Sequence, residues 1–234
     1  MSDRQAKLLD LYDSFPFEEH PLWISIMQGT LSKAQLLSAE IQHFIRTKAG
    51  RELRRDAVEK SRAQSETIFG AIIETYLEEC APAADKPSHL DLIRRLLQTG
   101  GLSNEQIESA VPTPANSAAI ALYRDIALRG PACHILGAGA VEHHYSRLAP
   151  QIFDAYVLKY GFSAHAAETY SIHGPVDAEH ARRAFTILDE AVEIHGWQLV
   201  EVSVRDAFVA TSLHYDGMLQ AATGLIEYWP GRAS

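Results

Sequence analysis

The chain has 234 residues, 47% hydrophobic and 22% charged, with a formal net charge of −9. This composition excludes a disordered or collagen-like chain, and the acidic balance excludes the basic face that nucleic-acid binding requires. Two cysteines without paired spacing, Cys80 and Cys133, and the lack of any apolar run near the ~18 residues of a membrane span lead us to expect one cytoplasmic domain over residues 1–234.

Taken in order, the chain predicts helix after helix. A lead-in from Gln5 to Leu11 is broken at Phe15-Pro16-Phe17, and His20-Pro21 opens a short helix through Met27 that Gly29 ends. Ser32-Lys33-Ala34-Gln35 is a capping box for a helix to about Lys48. Gly50 is expected to interrupt it. A charged amphipathic run from Arg51 to Glu79 should follow as the longest helix of the first half, with Ile68, Ile72, Ile73, Tyr76 and Leu77 on its apolar side. Cys80 to Pro87 reads as a loop, and Ser88-His89-Leu90-Asp91 caps a helix to Leu97 that Gly100-Gly101 closes.

Ser103 to Gln106 caps a short turn, and Thr113-Pro114 offers an N-cap with proline at the first helical position for a run to Leu128. A helix over Ala132 to Leu148 follows, small and apolar around Gly137-Ala138-Gly139-Ala140-Val141 and carrying Glu142 just beyond. Pro150 is expected to begin the next helix, to Tyr160, and Ser163 to cap a short one ending near Ile172. A helix from Asp177 to His195 would then be joined through Gly196 to a last one from Trp197, making one broken rod of roughly 50 Å or more at ~1.5 Å per residue. No segment alternates like a strand, so the fold class is all-α.

The octad His173-Gly174-Pro175-Val176-Asp177-Ala178-Glu179-His180 carries the chemistry. On a helix of ~3.6 residues per turn, positions i, i+4 and i+7 share one face, which would set His173, Asp177 and His180 side by side. Asp177-x-x-His180 has the carboxylate-x-x-His spacing of dinuclear carboxylate sites in helical bundles. A chain with 11 histidines and 30 acidic residues also produces such triplets by chance on solvated faces.

His20-Pro21-Leu22-Trp23, Gly29 to Leu36 and Gln42-His43-Phe44 resemble the opening of the haem-oxygenase-like superfamily that contains TenA and PqqC proteins. Glu78-Glu79, Ser88-His89-Leu90-Asp91-Leu92, Glu142 and the octad together resemble its diiron oxidases and oxygenases, of which the CADD-type para-aminobenzoate synthases are one branch. The resemblance implies a haem-oxygenase-like (TenA/PqqC-like) helical bundle. It also implies an iron- and dioxygen-dependent oxidoreductase acting on a small molecule such as an amino acid, amine or carboxylic acid. Its metal ligands would be one of the Glu78-Glu79 pair, taken as Glu79 from its helix face, with His89, Glu142, His173, Asp177 and His180, holding two irons, with manganese able to replace one. A homodimer is expected, without nucleic-acid or membrane partners. Carboxylates can bridge two metals, and neutral imidazoles suit iron while leaving positions open. Three acids in a bundle interior are costly to ionise unless cations meet them, so a Glu142 without metal would need a basic neighbour.

Between the adjacent glutamates, Ile68, Ile72, Tyr76 and Glu79 follow in helical steps, which puts Glu79 at the edge of the apolar side and Glu78 over Glu74, Thr75 and Ala71. His143 and His144 should point away from Glu142's face, while His134, two turns earlier, lies on nearly the same side and is expected to be a satisfied structural histidine rather than a pocket-lining one. His165 with Glu168, His195 and His214 are expected at the surface or in caps, and Tyr145 and Tyr170 near the centre. Gly174-Pro175 should kink the octad or set His173 on a separate turn. Trp23 and Val141 stand where the CADD branch has tyrosines, which argues against self-sacrificing synthesis. The competing readings on this fold are a cofactorless PqqC-type oxidase, a TenA-type hydrolase with Cys133 as nucleophile, and a non-catalytic binding protein.

Overall fold

The computed structural model describes residues 1–80 and 86–232, and within them forms helices and no strand. The expected loop from Cys80 to Pro87 lies largely outside the described residues. Eleven α-helices are described: α1 (Asp3–Asp10), α2 (Pro21–Gln28), α3 (Lys33–Ser61), α4 (Glu66–Cys80), α5 (His89–Thr99), α6 (Asn104–Glu108), α7 (Pro114–Arg129), α8 (Pro131–Leu158), α9 (Glu168–Phe185), α10 (Leu188–His195) and α11 (Trp197–Thr223).

Helix starts follow local chemistry. Capping boxes form at Ser32/Gln35, Ser88/Asp91 and Ser103/Gln106, each satisfying free N–H groups of a first turn. The His20 ring accepts from Leu22 N–H and caps α2, which Gly29 ends in the left-handed region at φ 72°. Thr113 makes no side-chain cap; its hydroxyl donates to Gly217 O instead and ties α7 to α11. Ser163 closes a single turn by accepting from Ala166 N–H, and α9 starts only at Glu168.

Three expected breaks are absent, and two appear elsewhere. The chain runs through Gly50 without interruption, so α3 is 29 residues long, and the break falls at Arg62–Ser65, where Ser65 Oγ accepts from Thr67 and Ile68 N–H to start α4. Glycine inside a helix costs only ~1 kcal/mol, which packing along a long helix outweighs. Likewise α8 runs through Pro150, and α9 through Gly174-Pro175. These interruptions face each other: a Cβ on Gly174 would lie 3.3 Å from Pro150 Cγ and 3.5 Å from Ser146 O, the carbonyl that Pro150 has no N–H to bond. Gly139 similarly lets α8 approach Ala184 of α9, where a Cβ would come within 2.4 Å of the alanine methyl. A turn at Thr186–Ile187 ends α9, so the expected broken rod is only α10 and α11 about Gly196.

The α8–α9 pair forms the most extensive helix contact, and α11 packs on α7, α3 and α8. Helix α3 also meets α4 and α5. Trp23, Phe44, Tyr156, Tyr170 and Phe208 are the large buried anchors between these layers. Leu77, expected on the apolar side of α4, is instead 53% exposed, whereas Ala71 and Thr75 are buried.

Candidate metal centre

Four helices bring the six side chains together, five of them lining one cavity and His180 packed beside Glu79 and Glu142. Glu79 closes α4 and His89 opens α5; Glu142 lies midway along α8, and His173, Asp177 and His180 line one side of α9. The uninterrupted α9 is what makes the i, i+4, i+7 face real, since a break at Gly174-Pro175 would have turned His173 away. Within it His173 Nδ1 meets Asp177 Oδ1 at 2.8 Å.

Two donor groups form, each with its atoms within 4.8 Å of one another: Glu79, His89 and His173, and Glu79, Asp177 and His180. Glu79 belongs to both. Its Oε2 accepts from His89 Nδ1 at 3.0 Å, and the Nε2 atoms of His89 and His173 are 3.1 Å apart. Glu142 stands beside the second group, with Oε2 3.6 Å from His180 Nδ1, which is itself 3.9 Å from Glu79 Oε1. Glu78 takes another place: half-exposed, it accepts from Arg183 and lies 2.9 Å from His180 Nε2 at the rim.

The basic neighbour that a metal-free Glu142 would require is present. Arg54 of α3 reaches Glu142 Oε1 at 2.6 Å and Glu79 Oε2 at 3.2 Å. Burial pushes the Glu79 carboxyl up, but His89, Arg54 and His173 together hold it well below the usual carboxylate range. For Glu142 burial dominates and the shift is upward, opposed by Arg54 and His180. Burial pulls His173 down, yet Asp177, Glu79 and Glu142 raise it to about 9, whereas burial and the neighbouring His173 lower His89 to about 3.

Arg54 answers only part of the donor set. Glu142 Oε2 and His180 Nδ1 are buried with no hydrogen-bond partner, at a separation too long for a direct bond. Donor atoms that share one ion at ~2.1 Å stand roughly 3–4 Å apart, so the spacing of these orphaned atoms fits a shared cation. The mixture of buried carboxylates and imidazoles fits iron or manganese.

Around these groups, Tyr145 lines the cavity edge-on to His173, and Tyr170 donates with Tyr156 to the fully buried Glu40, whose other oxygen meets His43 Nδ1 at 3.1 Å. His43 packs edge-on against His89, with ring centres 5.4 Å apart. His134, expected to be a satisfied structural histidine, instead lines the cavity with its Nε2 buried without a partner. His144 points away, stacked on Tyr12 and bonded to Leu9 O, while His165 lies exposed near Glu168. His214 departs from its expected surface place: it is buried, bonded to Asn116 Oδ1, and lines the cavity. Cys133 is fully buried and not part of the lining, with its thiol raised by burial; Cys80 is the cysteine at the wall. Sequence reasoning missed Arg54, His43 and Glu40. Arg54 lies two turns and one turn beyond the cavity-lining Arg46 and Gly50, a relation that exists only because α3 runs through Gly50.

A family model described as iron-containing redox enzyme matches residues 57–203. The chain belongs to that family. All six clustered side chains fall within the match, and Arg46 and Arg54 fall outside it. No curated protein matches this iron-containing redox enzyme family member. Its fold is shared with a domain of unknown function with a heme oxygenase-like fold from Shewanella denitrificans OS217, at 17% identity over 92% of this chain and 90% of that one, TM-score 0.75. A CADD-like protein of unknown function from Nostoc punctiforme PCC 73102 is 17% identical over 96% and 97%, TM-score 0.75. A TenA family transcription regulator from Silicibacter sp. TM1040 is 16% identical over 94% and 95%, TM-score 0.68. These likenesses establish the haem-oxygenase-like all-α fold. Among the described residues no helix is long and apolar enough to cross a membrane.

Proposed function

We propose that the protein is a dinuclear non-haem iron oxidase or oxygenase that uses dioxygen to oxidise a small molecule. The observation that carries this reading is Glu79's membership of both donor groups, which is the position of a carboxylate shared by two ions. Glu79, His89 and His173 would hold one ion, and Asp177 and His180 the other with the shared Glu79; Glu142, swung from Arg54, would complete the set. Iron bound there supplies redox chemistry and open positions for dioxygen. Manganese at one position is compatible with the same donors.

The chain's own residues do the rest. Arg54 fixes the direction of Glu79 and Glu142 and helps His89 and His173 to hold Glu79 ionised, while for Glu142 it only opposes the upward push of burial. The Glu40–His43 pair braces His89 from behind, limiting its ring to one orientation. The hydrolase reading is weakened by Cys133, which is sealed in packing and raised by burial rather than activated. Anaerobic titration with ferrous ion tests the proposal: about two ions per chain and oxygen uptake on exposure to air are expected. Glu142→Ala and His180→Ala should each abolish oxygen uptake while leaving helical circular dichroism intact. A chain that stays metal-free after ferrous loading sinks the reading.

A further inference from the structure

The cavity beside the six clustered side chains has a second polar corner, built by α3 where it faces α7 and α11. Its volume of about 110 Å³ leaves room for roughly seven to eleven water-sized groups at ~10–15 Å³ each. Arg46 and Thr47 line it, as does Tyr123. The Arg46 guanidinium lies over the Tyr123 ring, 5.8 Å from its centre, and among the described residues no carboxylate is within ion-pair distance. Arg46 Nε is buried without a hydrogen-bond partner, and so is Thr47 Oγ1 next to it.

The other inward arginines behave differently. Arg54 is met by Glu79 and Glu142, Arg129 by Asp125 and Asp206, and Arg183 by Glu74 and Glu78. In a chain with 30 acidic against 21 basic residues, a cavity-facing arginine left without an acid is a departure that needs a reason. Neighbours do not supply the missing acceptor: the Tyr123 hydroxyl pairs with Thr211 Oγ1 at 2.7 Å, and His214 Nδ1 with Asn116. The same cavity is lined by the apolar side chains of Trp23, Ile120, Ile126, Val141 and Met218 beside its histidines and tyrosines.

We infer that the Arg46–Thr47 corner is the carboxylate-binding end of the pocket, so that the ligand is a small monocarboxylate with an apolar body. The planar guanidinium fork matches a carboxylate by two parallel N–H donors, and the Thr47 hydroxyl adds a third. A single unpaired arginine balances one negative charge, which favours a monoanion over a phosphate. Held there, the ligand's body would lie along the apolar walls with its far end toward Glu79 and Glu142. As a statement about substrate this rests on the oxidase reading; as a statement about binding it does not.

The test is calorimetric titration of the full chain, as purified and again after ferrous loading, with straight-chain monocarboxylates from acetate to octanoate, hexan-1-ol, hexylamine and inorganic phosphate. One carboxylate of the series should bind per chain at least about tenfold more tightly than the alcohol, amine or phosphate. Arg46→Gln should weaken that carboxylate by roughly ten- to a hundredfold and erase its preference over the alcohol, with Arg46→Lys in between because a point charge replaces a fork. Thr47→Val should cause a smaller loss, and circular dichroism checks folding of each; if Arg46→Gln does not fold, the wild-type ligand preference and Thr47→Val decide. Carboxylate affinity unchanged by these substitutions, in either metal state, or alcohol or phosphate binding as tightly as every carboxylate, overturns the inference. Failure of the two readings is separable: arginine-dependent carboxylate binding by a chain that takes up no iron rejects the dinuclear centre alone, and two irons without carboxylate binding rejects this corner alone.

Discussion

At the scale of single residues, the adjacent glutamates of α4 show how one helical step of ~100° separates two environments. Glu79 is 9% exposed and touches His89 and Arg54, while Glu78 sits at the rim with Arg183. If Glu79 bridges, Glu79→Gln should abolish both iron equivalents in a ferrous titration, and Glu78→Gln should keep them; the opposite pattern would move the bridge to Glu78. The step to Glu79 could be read from the apolar spacing of Ile68, Ile72 and Tyr76, although Leu77, used in the same reading, faces outward. No spacing rule shows an arginine turning inward, because a long charged side chain on an amphipathic helix is by default solvated, and Arg54 and Arg46 were legible only once α3 was known to pass Gly50. His134 carries a second prediction. Burial, with Arg54 nearby, lowers its folded pKa to about 4, against ~6.5 unfolded, so the unfolded chain binds more protons between those values. The His134 contribution is therefore fully present above about pH 6.5 and is lost as pH falls toward 4. Thermal melts across this window should lose less stability in His134→Gln than in wild type, and equal slopes would show that the ring is not buried neutral.

Between elements, the glycines of α3 and α8 have opposite reasons to exist. A Cβ on Gly50 would meet nothing within 4 Å, whereas one on Gly139 would collide with Ala184 across the α8–α9 contact. Gly50→Ala should therefore stabilise the chain by about 0.5–1 kcal/mol, since it removes a helix-interior glycine without a clash. Gly139→Ala should destabilise by about 1–3 kcal/mol through overpacking. Urea denaturation of both variants checks the pair, and loss of stability in Gly50→Ala would mean that α3 needs its glycine for the backbone. The same contrast explains which helix limits were legible. Capping boxes at Ser32, Ser88 and Ser103 are local chemistry and act where they are written. Gly50, Pro150 and Gly174-Pro175 are breakers only in isolation. When Gly174 and Pro150 pack into one another, the tertiary contact offsets the missing N–H, and the helix continues.

For the whole molecule, the clustered acids join α4, α8 and α9 at the place where like charges would push them apart, and Arg54 of α3 is the permanent cation between them. Removing one partner of a buried ion pair costs about 3–5 kcal/mol, because the charge left behind has neither water nor counter-ion. Arg54→Gln leaves two such carboxylates, Glu79 and Glu142, within one cluster, so in the absence of iron it should lose at least about 3 kcal/mol of stability. Iron changes the arithmetic. A ligand that binds only the folded chain stabilises it by about 2.7 kcal/mol at a free concentration a hundred times its Kd, and divalent ions also supply the positive charge that the arginine no longer provides. The stability gap between wild type and Arg54→Gln should then narrow on anaerobic ferrous loading, measured by urea denaturation with and without the metal. A gap of the same size in both states would assign Arg54 to packing of α3 against α4 and α8 rather than to charge balance at the cluster.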